Sequence, residues 1–446
     1  MKTVLLANTV LTWEGRSPAP PKKDPSNLVV RILKIMINVL IFIPKWCVNT
    51  VVSLMIVPSQ VMKTRILRLL DGVGIIKHSF APPYYELLNQ CIDRQYKSFD
   101  IQPVEMKMRT GTYIRGTLLV SKLAIPQDQP GVVTRDDIPT VICFNPNSKT
   151  MLNWGCTSND VMDYVDKAYK QDCAVNVLML DYPGVGESDG VAHASCMQEM
   201  AETAYEFVEK KLNVKSNNIH LHGWSLGSFM AAYLAKVHPK SEGCIFLDKG
   251  GSSIVQAASE LLELTQTNLE EIPYVGKPLC LPFYLAQKAL GIIAEIGGWD
   301  VFNTVDNLKT SKRKIIAYYS AKDEVFNGKA GYSYAFKDSE NITLVELKSK
   351  RTGAIYYHGH PLTHSDGFLN TKEKIEDIIG YNVEHIIAKA PQHAFFRNRK
   401  VEKTASSENL AAEDPSISTA LQMLGSAVRK KGLNFFSSPT VHGAAA

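Results

Sequence analysis

Residues 218–237 read NIHLHGWSLGSFMAAYLAKV, and this stretch decides the fold. Its first seven residues, NIHLHGW, read as a short strand, and residues 226–237 predict a helix. Between them stands Gly223-Trp224-Ser225-Leu226-Gly227. A chain that turns from strand to helix this sharply leaves room only for small residues at the flanks of the turn. The same turn lifts the Ser225 hydroxyl above the sheet edge. The helix below it contributes backbone N–H groups and the positive end of its dipole, both useful to a developing oxyanion. Ser225 is therefore the candidate nucleophile.

Outward from this turn the same rhythm repeats. TVICFN (140–145), VNVLMLD (175–181), CIFLD (244–248), KIIAYYS (314–320) and ITLVELK (342–348) read as strands. Helices are expected over 158–171, 194–213 and 371–389. VEMKM and YIRGTLLVSKL, within 104–123, alternate around a Thr-Gly turn and predict a hairpin. Short apolar strands separated by helices predict an α/β fold, a mostly parallel sheet with helices on both faces. Residues 256–298 interrupt the rhythm with a helix-like segment rich in Leu, Phe and Tyr, placed where a lid could be inserted.

A serine nucleophile needs a base, and the base an orienting carboxylate, in the chain order Ser, Asp, His for this type of fold. Asp323 follows the strand KIIAYYS in SAKDEV, at the carboxyl edge of the sheet, and is the candidate acid. Asp248, which ends the preceding strand in FLDKGG, is its rival. The loop YYHGHPLTHSDG holds three histidines. His360 ranks first because Gly359 before it frees the loop to present the ring; His358 follows, then His364. The oxyanion site should combine the backbone N–H of Leu226 with one from the loop Asn145-Pro146-Asn147-Ser148. Pro146 has no N–H to give, so Asn147 is the expected donor. LDYPGVGESDG (180–190) looks like a phosphate loop but lacks a third glycine in the pattern and has no Walker lysine. No CxxC pair, HExxH motif or carboxylate cluster calls for a metal, and no cofactor is expected.

LDYPGVGES, GWSLG, SAKDEV and the histidine loop together resemble the α/β-hydrolase superfamily over about residues 100–392. CFNPNS, LDYPGVGES and GWSLG behind an apolar N-terminal extension further resemble the Chlamydia and Legionella hydrolase-like family that includes SidB-type translocated effectors. The resemblance implies a triad of Ser225, Asp323 and one histidine of 358–364, with lipase or esterase activity. It also implies an effector secreted into a host cell.

Composition bounds the rest. With 446 residues, 45% apolar and 21% charged, the chain is neither disordered throughout nor fibrous. Net charge is +5, unevenly placed: residues 1–70 hold ten Lys/Arg against Glu14 and Asp24, a net of +8, and residues 71–446 carry −3. Residues 14–27 read as a Pro-rich linker. Residues 28–62 are apolar but broken by Arg31, Lys34, Pro44, Lys45 and Pro58, which leaves no clean span of about 20 residues. A basic apolar segment over 1–75 is expected to associate with a membrane surface, as a hairpin in the bilayer or an interfacial anchor. Packing on the soluble body is the alternative. The opening residues lack a cleavage site of a secretory signal. The eight cysteines are scattered and read as reduced. Residues 76–402 form the expected catalytic domain, and 403–446 read as a polar, disordered tail. The expected partner is a lipid or ester substrate rather than nucleic acid. A thioesterase or depalmitoylase, or an inactive hydrolase-fold interaction protein, are the rival readings.

Overall fold

The computed structural model describes residues 11–14, 98–124, 138–147, 150–151, 160–186, 188–270, 276–326, 328–350, 358–369 and 373–390. The apolar segment 28–62 and the tail 403–446 lie outside them. In chain order the first strands are β1 (Leu11–Glu14), β2 (Phe99–Lys107), β3 (Tyr113–Ser121) and β4 (Thr140–Phe144). Helix α1 (Asp160–Lys170), β5 (Asn176–Leu180), α2 (Ala194–Glu206), β6 (Ile219–Trp224), α3 (Leu226–Val237) and β7 (Ile245–Asp248) follow. Then come α4 (Ile254–Glu270), α5 (Gly276–Gly297), α6 (Thr304–Leu308), β8 (Ile315–Tyr319), α7 (Tyr332–Ala335) and β9 (Ile342–Ser349). The last elements are β10 (Ser365–Leu369), β11 (Lys374–Ile375) and α8 (Ile378–Lys389).

The strands form one sheet in the order β1-β2-β3-β5-β4-β6-β7-β8-β9-β10-β11. From β5 to β9 every pair is parallel, as strands joined through helices must be. The β2–β3 hairpin and the β9–β10–β11 meander add antiparallel edges. Both faces are covered, so the central strands are buried along their whole length. In β4, Val141 and Cys143 pack on the α1 and α8 side, while Ile142 and Phe144 pack on the side of α2 and α3.

Three departures from the sequence expectations have physical causes. Leu11–Glu14 pairs in parallel with Val104–Lys107, so the N-terminal segment contributes an edge strand. Four residues are too few to show alternation. The last helix begins at Ile378 rather than 371, because Lys374–Ile375 are used as a strand and Asp377 caps the helix through the Gly380 N–H. The helix expected to 213 stays α-helical to Glu206 and widens into a π-turn over Phe207–Lys211. Within the segment 256–298 the described residues 256–270 and 276–297 are helical as expected, lying in α4 and α5, which pack on each other between β7 and β8 in the chain. Tyr284, Leu285, Ile292 and Ile296 of α5 are exposed large apolar residues. Among the described residues no helix is long and apolar enough to cross a membrane.

Candidate active site

The turn between β6 and α3 holds Ser225 at φ 53°, ψ −115°, in a region that L-residues avoid. The glycines beside it are there for space. A Cβ on Gly223 would stand 2.3 Å from the Gly227 carbonyl oxygen, and one on Gly227 would stand 2.0 Å from that of Phe144. The start of α3 thus lies hard against the end of β4. The strained backbone is held by its neighbours: the Ser225 N–H donates to the Asp248 carbonyl (2.7 Å), and the Ser225 carbonyl accepts from the Ser228 N–H (3.0 Å) and hydroxyl (2.6 Å).

Asp323 lies just past β8 and is 3% exposed. Its Oδ1 accepts from the N–H groups of Val325 and Phe326, both at 2.8 Å, which fixes the carboxylate plane. Its Oδ2 is 3.0 Å from Nδ1 of His358, and His358 Nε2 is 2.8 Å from Ser225 Oγ. A proton on Nδ1 facing the carboxylate leaves Nε2 to accept the serine hydroxyl. The His358 backbone is pinned as well, its N–H donating to Glu324 Oε2 (3.0 Å), and the Phe326 ring flanks the imidazole with centroids 5.3 Å apart. Asp323, His358 and Ser225 form one unbroken chain.

The ranking of the histidine loop is corrected here. His358 occupies the place expected of His360, and His360 is exposed, its ring lowered in pKa by partial burial and by the Lys249 charge. A Cβ on Gly359 would meet nothing within 4 Å and its φ is not positive, so this glycine makes no room for a neighbouring ring. His364 sits in the short turn Leu362–His364, its carbonyl accepting from the Lys350 N–H. Asp248 does not face His358 as an acid; it is fully buried and paired with Lys249.

Leu226 is the first residue of α3, beside Ser225, and Asn147 is half-buried in the loop after β4 that Gly227 approaches. That loop is tied down by LDYPGVGESDG. Asp181 Oδ1 accepts from the Met151 N–H (2.7 Å), Asn145 Nδ2 donates to the Leu180 carbonyl (2.8 Å), and the Tyr182 hydroxyl donates to the Asn145 carbonyl. Gly184 and Gly186 have positive φ, and a Cβ on Gly186 would collide with Asp181 Oδ2 at 2.1 Å. The glycine-rich turn is an organiser of the neighbouring loop. Glu324 and Asp160, which hold the base loop, were not singled out in the sequence. Asp160 carries the ordinary signal of an acid at a helix start, so its long-range partners are invisible there.

A largely parallel sheet with helices on both faces and a serine on a left-handed strand–helix turn define the α/β-hydrolase fold. No family model matches the chain. The chain is 29% identical over 184 residues to the α/β hydrolase domain-containing protein WAV2 of Arabidopsis thaliana, covering 40% of this chain and 54% of that protein. It therefore spans about half the length of that curated relative. Among solved structures it is similar to an α/β hydrolase from Vibrio vulnificus (15% identity, 69% of this chain and 86% of the other, TM-score 0.42). It is also similar to an acetyl xylan esterase from Paenibacillus sp. R4 (14% identity, 62% and 87%, TM-score 0.43).

Proposed function

We propose that the protein is a serine hydrolase of carboxylic esters. The observation that carries this reading is the hydrogen-bonded chain Asp323–His358–Ser225 ending on a hydroxyl at a strained turn. His358 Nε2 takes the Ser225 proton as Oγ attacks the ester carbonyl carbon. The N–H groups of Leu226 and Asn147 are assigned to the oxyanion that forms. His358 then returns the proton to the leaving alcohol, and water cleaves the acyl-enzyme by the same steps. Asp323 orients the ring and offsets the imidazolium charge. The curated relative named for its hydrolase domain agrees with this class.

The substrate belongs to the lipid-like esters in this reading, and the protein to a membrane surface. Two features support that: the exposed apolar residues of α5, in the segment assigned as a lid, and the +8 charge of residues 1–70 with its apolar run 28–62. Kinship with the Chlamydia and Legionella hydrolase-like family, and the effector role it implies, belong to the same proposal and rest on the quoted motifs. A fluorophosphonate probe tests the class. The full chain should be labelled and Ser225→Ala should not, with ester turnover falling about 10³-fold or more in that variant. Undiminished turnover in Ser225→Ala would remove the mechanism.

A further inference from the structure

Below the proposed site lies a group of charges that the reaction itself does not use. Lys249 follows β7 with φ 44°, another non-glycine residue in the left-handed region. Its Nζ is 2.6 Å from Asp248 Oδ1, and both side chains are 0% exposed. The ammonium lies over the Trp224 indole, 5.0 Å from the ring centroid, one residue before the nucleophile. Asp248 Oδ2 is buried with no hydrogen-bond partner among the described residues, so Lys249 is what offsets the burial of this carboxylate. The backbone carbonyl of the same Asp248 accepts the Ser225 N–H.

The other end of the group reaches the base. Asp160, at the start of α1, is fully buried, and its two oxygens accept from the N–H groups of Leu362 and Thr363, each at 3.0 Å. Those two residues anchor the loop that begins with His358. Burial raises the pKa of both Asp160 and Asp248, the latter to about 6, and the Lys249 charge lowers both. Lys249 is thus a shared countercharge for two buried carboxylates, beside the Leu362 and Thr363 N–H groups that donate to Asp160. One carboxylate lies under the serine turn and the other clamps the histidine loop.

We propose that the Lys249–Asp248 pair and Asp160 are positioning groups, the pair holding the Ser225 turn and Asp160 the His358 loop. This rests on the serine-hydrolase reading for its effect on turnover, though not for its effect on geometry. Loss of the Lys249–Asp248 pair removes the buried contact that braces the chain beside Trp224 and the Ser225 turn. Loss of the Asp160 carboxylate frees the Leu362 and Thr363 N–H groups, and the ring of His358 drifts from Ser225. A small misplacement of this kind is enough to slow chemistry about 10²-fold.

The decisive variant is Lys249→Met combined with Asp248→Asn, which removes the pair together and leaves no unpaired charge next to the turn. The expected result is a melting temperature near that of the parent, kcat for a short soluble ester lowered about 10–100-fold, and KM unchanged. The far-downfield proton resonance of the His358–Asp323 hydrogen bond should also broaden or vanish. If the pair serves stability alone, the double variant keeps both the resonance and kcat, which overturns the proposal. Asp160→Asn is the second variant, needed where the first does not fold. It should weaken the same resonance, and an unchanged resonance with unchanged kcat overturns the proposal again. The resonance reports geometry without turnover, so a parent chain that shows it but hydrolyses no ester defeats the proposed function and leaves this inference standing.

Discussion

At His358, Asp323 orients the ring, Glu324 pins the backbone N–H, and Phe326 closes one side. His360, separated from His358 only by Gly359, is exposed. His358→Ala should therefore lower ester turnover about 10³-fold or more, whereas His360→Ala should stay within a few-fold of the parent. Asp323→Asn should cost about 10⁴-fold, because the tautomer with Nδ1–H pointing at the carboxylate is lost. Steady-state kinetics on a short p-nitrophenyl ester measure all three; equal losses in the two histidine variants would contradict the assignment. Ser225 and Asp323 were legible in the sequence because each follows a strand directly, where the sheet edge fixes position. The histidine was not. It lies nine residues beyond β9, and which ring turns inward depends on Asp160 and Glu324, distant or exposed acids with no local signature.

Elements were legible wherever a strand or helix is buried on a regular period, as in β4 to β9 and α3. They were lost at the edges, where β1, β10 and β11 are short and half-covered. Helix α5 was legible as apolar, but its amphipathic face was not, since Tyr284, Leu285, Ile292 and Ile296 became distinguishable only once packing showed them exposed. These residues supply the next test. Leu285→Glu with Ile292→Glu removes apolar surface from a solvent-facing helix and should leave hydrolysis of a short soluble ester unchanged. Hydrolysis of the same acyl chemistry presented as an aggregate should fall about tenfold, equivalent to some 1.4 kcal/mol of lost interfacial contact. A parallel fall on both substrates would mean that α5 acts on the site rather than on the lipid surface.

On the scale of the whole molecule, the buried imidazoles set the response to acid. His220 and His222, fully buried on β6, are pushed down to about 3 by burial and by Arg313, Lys389 and Lys249; His238 and His385 are pushed down to about 4. Between these values and the ordinary 6.5, the unfolded chain binds protons that the folded chain refuses, so stability falls as pH drops. Asp248, held near 6, works the other way, because the folded chain keeps that proton down to the ordinary 3.8. The rings outnumber it, so near pH 5 the net effect is a loss of stability as pH falls. Thermal melts between pH 8 and 5 should show a plateau and then a descent below about 6.5. His220→Asn, which retains an acceptor for the Cys244 N–H, should flatten that descent. The strand at Leu11–Glu14 bears on how membrane association can be tested. Removing residues 1–75 would also strip Val104–Lys107 of β2 of their neighbour and bare the N–H and C=O groups of that edge, an invitation to self-association that would pellet without any lipid. Excising residues 20–90 behind a flexible linker keeps that edge covered. Such a chain should stay in the supernatant with anionic vesicles while the full chain sediments, and equal sedimentation would remove the anchor. Leu11–Glu14 and Val104–Lys107 are paired along the sheet edge, so the points where the chain leaves β1 and enters β2 both lie at the sheet margin.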